Sequence, residues 1–209
     1  PAGLISARCA TVFALVLGAA AAALGFAVST VHGVAVVVPL AALAVYTFKL
    51  KATPLLGNIV VALLVAYAVL FGGLNAPGLS RLYLPATLAF LLNLTREIVK
   101  DVQDERGDRA VGAATSAALS PRLRRALIGT VSLTYLGALF LPTVLGHFGM
   151  TYAAMCLVVI VPLHLYRSLL YFRSDAPDRL GRVSLLLKIE MACGLCALAV
   201  DDLVREIVA

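Results

Sequence analysis

Residues 9–29 read CATVFALVLGAAAAALGFAVS and carry no charged side chain. A membrane-spanning helix needs about 20 mostly apolar residues to cross about 30 Å of hydrocarbon, where an unpaired backbone polar group is costly. Six further runs of this type follow, so we predict an all-α, polytopic transmembrane helix bundle. The seven predicted helices lie at about residues 9–29, 33–48, 56–73, 82–99, 126–145, 150–166 and 184–200. Pro142 and Pro162 fall late in their runs, where we expect them to kink the helix.

The composition of the whole chain also indicates a membrane protein. Its 209 residues are 62% hydrophobic and 13% charged, whereas soluble domains average roughly 45–50% apolar and about 25% charged residues. This hydrophobicity excludes a disordered chain, and four cysteines are too few for a disulfide scaffold. The net charge of +6 does not indicate a nucleic-acid partner, because the basic residues lie at the ends of apolar runs and tryptophan is absent.

The basic residues are divided unequally between the two sides of the predicted bundle. Of the 17 Lys and Arg residues, all but Arg81 and Arg205 fall on one side. The excess of positive charge marks the cytoplasmic side of a membrane protein. We therefore predict a multi-pass protein of the cell membrane, with long cytoplasmic connections near 100–125 and 167–183. The site is expected to face the cytoplasm, because the polar residues collect there.

The fourth apolar run ends in an acidic segment, Arg96-Glu-Ile-Val-Lys-Asp-Val-Gln-Asp-Glu-Arg-Gly-Asp108. Asp101, Asp104 and Asp108 are spaced i, i+3, i+7 and share one face if the helix continues. Three carboxylates on one face repel unless a cation lies among them, and oxygen ligands without His or Cys suit Mg²⁺. The alternative is a solvated helix end. The cations that would pair with such an end are Lys100, Arg106 and Arg109.

Three other groups of residues are candidates for a site. Lys49 and Lys51 either anchor their helix at the cytoplasmic surface or, with Tyr46, hold a diphosphate near the acidic segment. Cys193-Gly-Leu-Cys196 has the spacing of a redox motif but lies inside an apolar run, so we expect ordinary helix residues there. No two of the three histidines have the spacing of metal ligands.

The acidic segment resembles a sequence motif of a known protein family. Arg96-Glu-Ile-Val-Lys-Asp101 with Asp104-Glu-Arg-Gly-Asp108 is similar to the second aspartate-rich motif of the UbiA superfamily of intramembrane prenyltransferases. Pro1-Ala-Gly-Leu-Ile-Ser6 resembles the end of the stretch that follows the first such motif. The resemblance implies a nine-helix fold, of which this chain supplies the third to ninth helices. Residues 1–209 are then expected to form a single transmembrane prenyltransferase domain, preceded by two helices and the first motif.

Other segments resemble the archaeal lipid branch of this family. They are Tyr46-Thr-Phe-Lys-Leu-Lys51, Thr53-Pro-Leu-Leu-Gly-Asn58 and Phe71-Gly-Gly73. That branch attaches a second geranylgeranyl chain to geranylgeranylglyceryl phosphate. One departure is that Lys49 and Lys51 follow Tyr46 by three and five residues, so the family's Tyr-x-x-x-Lys pattern is not met.

The resemblance implies Mg²⁺-dependent transfer of a geranylgeranyl group from an allylic diphosphate to geranylgeranylglyceryl phosphate, a step of membrane ether-lipid biosynthesis. The implied metal ligands are Asp101, Asp104 and Asp108, of which Asp104 and Asp108 are assigned as catalytic. The residues available to the diphosphate are Tyr46, Lys49, Lys51 and Arg109. Those available to the phosphate of the acceptor are Arg122, Arg124 and Arg125.

Two alternatives to transfer onto a glycerol ether phosphate stay open at the level of sequence. An aromatic acid such as 4-hydroxybenzoate is also an anion, so the pattern of charge does not separate it from the lipid acceptor. A small transporter is the non-enzymatic alternative. Transporters place polar groups near the middle of the membrane, whereas here the mid-helix positions are almost wholly apolar and the charge collects at one rim.

Overall fold

The computed structural model describes residues 5–51, 53–76, 78–110, 112, 114–174 and 176–208, without the side chains of Arg106 and Pro177. Within these residues the secondary structure is helical and includes no strand. The chain divides into two compact units, Pro1–Lys49 and Leu50–Ala209. The prediction of a single transmembrane domain over residues 1–209 stays a prediction.

The first unit contains two helices, α1 (Ala7–Val28) and α2 (Thr30–Val45), and α2 continues into a π-helical turn at Tyr46–Leu50. Ser29 alone separates the two helices and caps α2, because its Oγ accepts a hydrogen bond of 3.2 Å from the backbone N–H of His32. A single capping residue leaves no length for a loop. The chain therefore reverses direction within one residue.

Two glycines let α1 and α2 pack closely where they meet. A Cβ on Gly33 would lie 2.2 Å from the ring of Phe26, and one on Gly25 would lie 3.1 Å from the carbonyl oxygen of His32. Small residues at such positions allow close helix contact in lipid, where packing drives association. The glycines of this unit are thus required by its packing.

The second unit is a bundle in which α4 contacts α3, α5 and α9, and α8 packs on α9. Its helices are α3 (Leu56–Gly72), α4 (Tyr83–Ala110), α5 (Pro121–Ala138), α6 (Leu141–Val144), α7 (Met150–Met155), α8 (Val161–Arg173) and α9 (Pro177–Val208). Six helical segments of the described chain are long and apolar enough to cross a membrane, and α3 is a shorter apolar helix. The prediction of an all-α, polytopic membrane protein is confirmed.

Irregular turns lie just before Pro142 and Pro162, two of the prolines in the apolar runs. The fifth run is interrupted between Ala138 and Leu141, immediately before Pro142. A π-helical turn at Cys156–Ile160 joins α7 to α8 just before Pro162. Proline lacks the backbone N–H that a regular helix needs, so interruptions at these points are expected.

The predicted long connections near 100–125 and 167–183 are wrong in extent. Helix α4 continues to Ala110 and α5 begins at Pro121, while only residues 174–176 separate α8 from α9. Hydropathy detects the part of a helix that lies in hydrocarbon, but the backbone hydrogen bonds continue wherever side chains tolerate helical geometry. Ion pairs one turn apart, such as Lys100 with Asp104 at 3.2 Å, support this polar extension.

The core of the second unit contains a cluster of buried polar side chains between α8 and α9. The carboxylate of Glu190 is 2.7 Å from Nδ1 of His164 and accepts a hydrogen bond of 3.0 Å from Nε of Arg167. All three residues are at most 1% exposed, and the ring of Tyr135 stacks on His164 at 5.0 Å. The prediction that places Arg167 in a cytoplasmic connection is wrong, because this residue lies within α8 and is buried. Its charge is paired inside the bundle.

The two basic residues predicted on the outer side are both paired with aspartates. Arg81 lies 2.8 Å from Asp202, and Arg205 lies 3.1 Å from Asp201. Asp201 is also buried and accepts a hydrogen bond of 2.7 Å from the backbone N–H of Gly149, just before α7. These ion pairs cancel the positive charge of Arg81 and Arg205. The difference in net positive charge between the two ends of the bundle is therefore larger than the count of basic residues alone indicates.

Candidate functional site

The acidic segment lies on the last turns of α4, which runs without a break to Ala110. Asp101, Asp104 and Asp108 fall within about 60° of each other around its axis, because a helix turns about 100° per residue. The three aspartates therefore lie on one face of α4, as predicted. Among the residues that the structure describes, no three His, Cys, Asp or Glu side chains are grouped closely enough to hold a metal ion. Any cation bound here needs further oxygen ligands from elsewhere.

The side chain of Asp101 forms hydrogen bonds that join α4 to α3 and to the connection before α5. Its Oδ2 accepts three hydrogen bonds: 3.0 Å from Nδ2 of Asn58, 2.9 Å from the backbone N–H of Ser116 and 2.6 Å from the Ser116 hydroxyl. Asn58 is on α3, and Ser116 begins a 3₁₀ turn in the connection to α5. A carboxylate oxygen with three donors is well satisfied. Oδ1 is the oxygen of Asp101 that has no part in these contacts.

Asp104 and Asp108 are more accessible than the inward-facing side chains of the bundle. Asp104 pairs with Lys100, and both side chains are about half exposed. Asp108 is partly exposed near the end of the helix. Exposed ion pairs exchange readily with water and contribute little to stability. Both carboxylates are thus available to a ligand that approaches the polar end of the bundle.

The residues predicted to hold a diphosphate are divided between the two units. Tyr46 and Lys49 belong to the first unit, whereas Lys51 is an exposed residue of the unit that carries the aspartates. Arg109 pairs with Glu105 one turn before it, and its side chain is 74% exposed. The described contacts of Arg109 are those of a solvated helix end. Its role toward a diphosphate stays a prediction.

The three arginines at the start of α5 have different surroundings. Arg124 is buried, and its Nη1 donates a hydrogen bond to the carbonyl oxygen of Ala117. Arg122 and Arg125 are exposed. The guanidinium of Arg124 holds the 3₁₀ turn against α5, so Arg122 and Arg125 are the more accessible members of the predicted acceptor-phosphate set.

A polar groove between α4 and α9 is lined by basic side chains to which the sequence analysis assigned no binding role. Its volume is about 270 Å³. Helix α4 contributes Arg96, Lys100, Gln103 and Asp104. Helix α9 contributes Gly181, Ser184, Leu185 and Lys188. The sequence spacing indicates that the lining residues of each helix lie on one side of that helix. It does not show that these two sides face each other.

An apolar cavity of about 180 Å³ lies among the helices of the same unit. Its walls come from α3, α4, α5, α7 and α9, and the lining residues include Tyr135 and Tyr152. Cavities of this character bind hydrocarbon groups and keep water away from them. The unit thus combines a polar end rich in carboxylates and cations with an apolar interior.

Comparison of the sequence with known protein families identifies proteins of this type. The profile of the UbiA prenyltransferase family matches residues 1–189. The chain belongs to the UbiA prenyltransferase family. The predicted membership of this family is confirmed, and this UbiA member is accordingly a prenyltransferase and a multi-pass membrane protein.

Curated UbiA relatives match almost the whole chain. A protein of Thermococcus kodakarensis named digeranylgeranylglyceryl phosphate synthase is 32% identical over 206 residues, which cover 98% of this chain and 73% of the relative. A protein of the same name from Methanothermobacter thermautotrophicus is 31% identical and covers 95% of this chain and 71% of the relative.

A solved structure shows the same fold. It is described as "Structural and mechanistic insights into the biosynthesis of Digeranylgeranylglyceryl phosphate synthase in membranes". The two chains superpose with a TM-score of 0.77 at 24% sequence identity, over 96% of this chain and 72% of the solved chain. The predicted all-α bundle therefore has a solved counterpart.

Proposed function

We propose that the protein transfers a geranylgeranyl group from geranylgeranyl diphosphate to geranylgeranylglyceryl phosphate, with Mg²⁺ as cofactor. The observation that carries this proposal is the similarity over 98% of the chain to a relative named digeranylgeranylglyceryl phosphate synthase. The reaction forms an ether bond between the allylic carbon and the acceptor oxygen. Diphosphate leaves with the electrons of the broken carbon–oxygen bond, and the acceptor hydroxyl loses its proton.

The residues at the end of α4 fit Mg²⁺ by the chemistry of their donors. The segment offers carboxylate oxygens and no His or Cys, and Mg²⁺ is usually held by one or two carboxylates plus phosphates of the substrate. Asp104 and Asp108 would hold the ion, and Asp101 would add its Oδ1. When bound there, Mg²⁺ supplies the positive charge that stabilises diphosphate as a leaving group.

Other residues of the chain would bind the donor and exclude water. Lys51 and Arg109, which belong to the unit that carries the aspartates, are proposed to attract the diphosphate. The same role for Tyr46 and Lys49 stays a prediction from the sequence. The apolar cavity that Tyr135 helps to line is proposed to receive part of the prenyl chain. An allylic cation reacts readily with water, so a dry cavity favours attack by the acceptor hydroxyl alone.

The acceptor is tested by assaying the complete protein, including any residues before Pro1, with each candidate in turn. We expect geranylgeranyl transfer to geranylgeranylglyceryl phosphate and little or none to 4-hydroxybenzoate. Labelled geranylgeranyl diphosphate and separation of the lipid products measure both reactions in the same membranes. Turnover of 4-hydroxybenzoate alone would show that the lipid acceptor is wrong.

We further propose that the acidic end of α4 faces the cytoplasm. In a variant without native cysteines, Gly107→Cys and Arg179→Cys are expected to react with a membrane-impermeant thiol reagent only from the cytoplasmic side, because the excess of Lys and Arg lies at that end. Met150→Cys, an exposed position at the opposite end, is the matched control and should react only from outside. The reverse pattern would overturn the orientation.

A further inference from the structure

The groove between α4 and α9 is built from two helical stripes that face each other. On α4 the lining residues follow the spacing i, i+4, i+7, i+8 from Arg96, and on α9 they follow i, i+3, i+4, i+7 from Gly181. Each spacing keeps its residues on one side of a helix. The groove is therefore a continuous feature of two packed helices and does not depend on the conformation of a loop.

The lining of the groove is rich in positive charge. Arg96, Lys100 and Lys188 contribute three cations, and Asp104 is the one carboxylate among the described lining residues. Arg96 also pairs with Glu97, and Lys100 pairs with Asp104. Within the described part of the chain, no carboxylate lies at ion-pair distance from Lys188. A cation without such a partner beside two others favours an anionic ligand.

The width of the groove depends on a glycine. A Cβ placed on Gly181 would lie 3.7 Å from Nε2 of Gln103 across the gap, so any longer side chain would extend into the groove. Ser184 adds a hydroxyl, which donates and accepts hydrogen bonds. The groove thus offers ammonium, guanidinium, amide and hydroxyl donors around a space large enough for a small head group.

We infer that this groove binds the phosphate of the acceptor, a glycerol phosphate monoester, and so determines which acceptor is used. The inference rests on the proposed function. Glycerol has three carbons, so the free hydroxyl of the acceptor is at most two carbons from the carbon that bears its phosphate. The phosphate site must then lie beside the reacting centre. Asp104, a proposed metal ligand, forms part of the groove wall.

The lining also distinguishes between the two acceptor classes. None of the eight lining residues that the structure describes is aromatic, so these residues offer no ring on which a benzoate could stack. A glycerol phosphate needs only hydrogen-bond donors and positive charge, both of which are present. This assignment differs from the one based on sequence, in which the arginines at the start of α5 hold the acceptor phosphate.

Lys188→Gln in the complete protein tests the inference. The variant removes one charge from an exposed position on α9, so the bundle is expected to remain folded. We expect the KM for geranylgeranylglyceryl phosphate to rise about tenfold, as for the loss of one charge-assisted hydrogen bond. The KM for geranylgeranyl diphosphate and kcat should stay within about twofold of wild type. Arg182→Gln removes an exposed cation of the same helix outside the groove and should change neither KM.

Gly181→Leu provides a second variant that keeps all charges but fills the groove. It should also raise the acceptor KM selectively, because the leucine side chain occupies the space between Gln103 and Ser184. An unchanged acceptor KM in both variants would overturn the inference. A selective rise in the KM for the diphosphate would overturn it as well, since the groove would then belong to the donor.

A direct binding experiment separates this inference from the proposed function. Glycerol 1-phosphate is titrated without Mg²⁺ into wild type, Lys188→Gln and Arg182→Gln, and its phosphorus resonance is followed by NMR. We expect saturable binding to wild type and Arg182→Gln that is lost in Lys188→Gln. Such binding in a protein that does not prenylate the lipid would reject the proposed function and keep the groove. If the protein transfers the prenyl group but wild type, Lys188→Gln and Arg182→Gln bind glycerol 1-phosphate equally, the proposed function is kept and the groove is rejected as the phosphate site.

Discussion

Asp104→Asn and Asp108→Asn are each expected to lower kcat of the complete enzyme by about 100-fold or more, the typical cost of losing one group that stabilises charge in a transition state. Asparagine has nearly the same size as aspartate but no negative charge, so the variant weakens the binding of Mg²⁺ and of the diphosphate that shares it. Both side chains are accessible, and the fold should be retained. Rates under saturating substrates and thermal unfolding of purified protein measure the two effects.

Asp202→Asn is the matched control for these variants. It makes the same chemical change in a half-exposed carboxylate at the other end of the bundle, where Asp202 pairs with Arg81. Its turnover should stay close to that of wild type, because a surface ion pair contributes about 0–1 kcal/mol. Near-normal turnover of both Asp104→Asn and Asp108→Asn would mean that the acidic segment is a solvated helix end.

Glu190→Leu is expected to destabilise the bundle by about 3–5 kcal/mol, because it leaves a buried cation without its partner. Arg167 and His164 both contact this carboxylate and are at most 1% exposed. The loss should appear as a large decrease in the midpoint of thermal unfolding in detergent. Glu206→Leu, which removes an exposed carboxylate from the same helix, is the control and should change the midpoint little.

A combined variant distinguishes a lost partner from lost packing. Replacing His164, Arg167 and Glu190 together by apolar residues of similar size should recover much of the stability that Glu190→Leu loses. Removal of a whole buried ion cluster is often neutral or stabilising. If Glu190→Leu is no more destabilising than Glu206→Leu, then the buried cluster does not hold α8 and α9 together.

The membrane-spanning helices could be predicted from sequence because each span is encoded locally. About 20 apolar residues in a row are sufficient, and each of the seven runs is largely helical in the structure. The polar helix ends were missed because hydropathy averages report hydrocarbon burial and give no information on where backbone hydrogen bonding stops. The short connection between α8 and α9 is the clearest case, since the charged residues on both sides of it belong to the two helices.

The buried cluster and the groove could not be predicted because they depend on contacts between distant segments. His164 and Arg167 are three residues apart on one face of α8, which was a usable signal of inward polar residues, but Glu190 joins them only through packing of α9 on α8. Asn58 and Asp101 each lie in a segment that resembles the family, yet nothing in their spacing shows that their side chains form a hydrogen bond. The common face of the aspartates was predictable because helical periodicity alone determines it.

The proposed use of the aspartates is tested most directly by calorimetric titration of a non-hydrolysable thio-analogue of geranylgeranyl diphosphate into the complete protein, with and without Mg²⁺. If carboxylates and diphosphate share the ion, Mg²⁺ must tighten binding of the analogue, and the analogue must tighten binding of Mg²⁺ by the same factor. We predict this reciprocal effect in wild type and its loss in Asp104→Asn. Equal affinity for the analogue with and without Mg²⁺ would show that lysines and arginines hold the diphosphate, and the role assigned to Asp104 and Asp108 would be wrong.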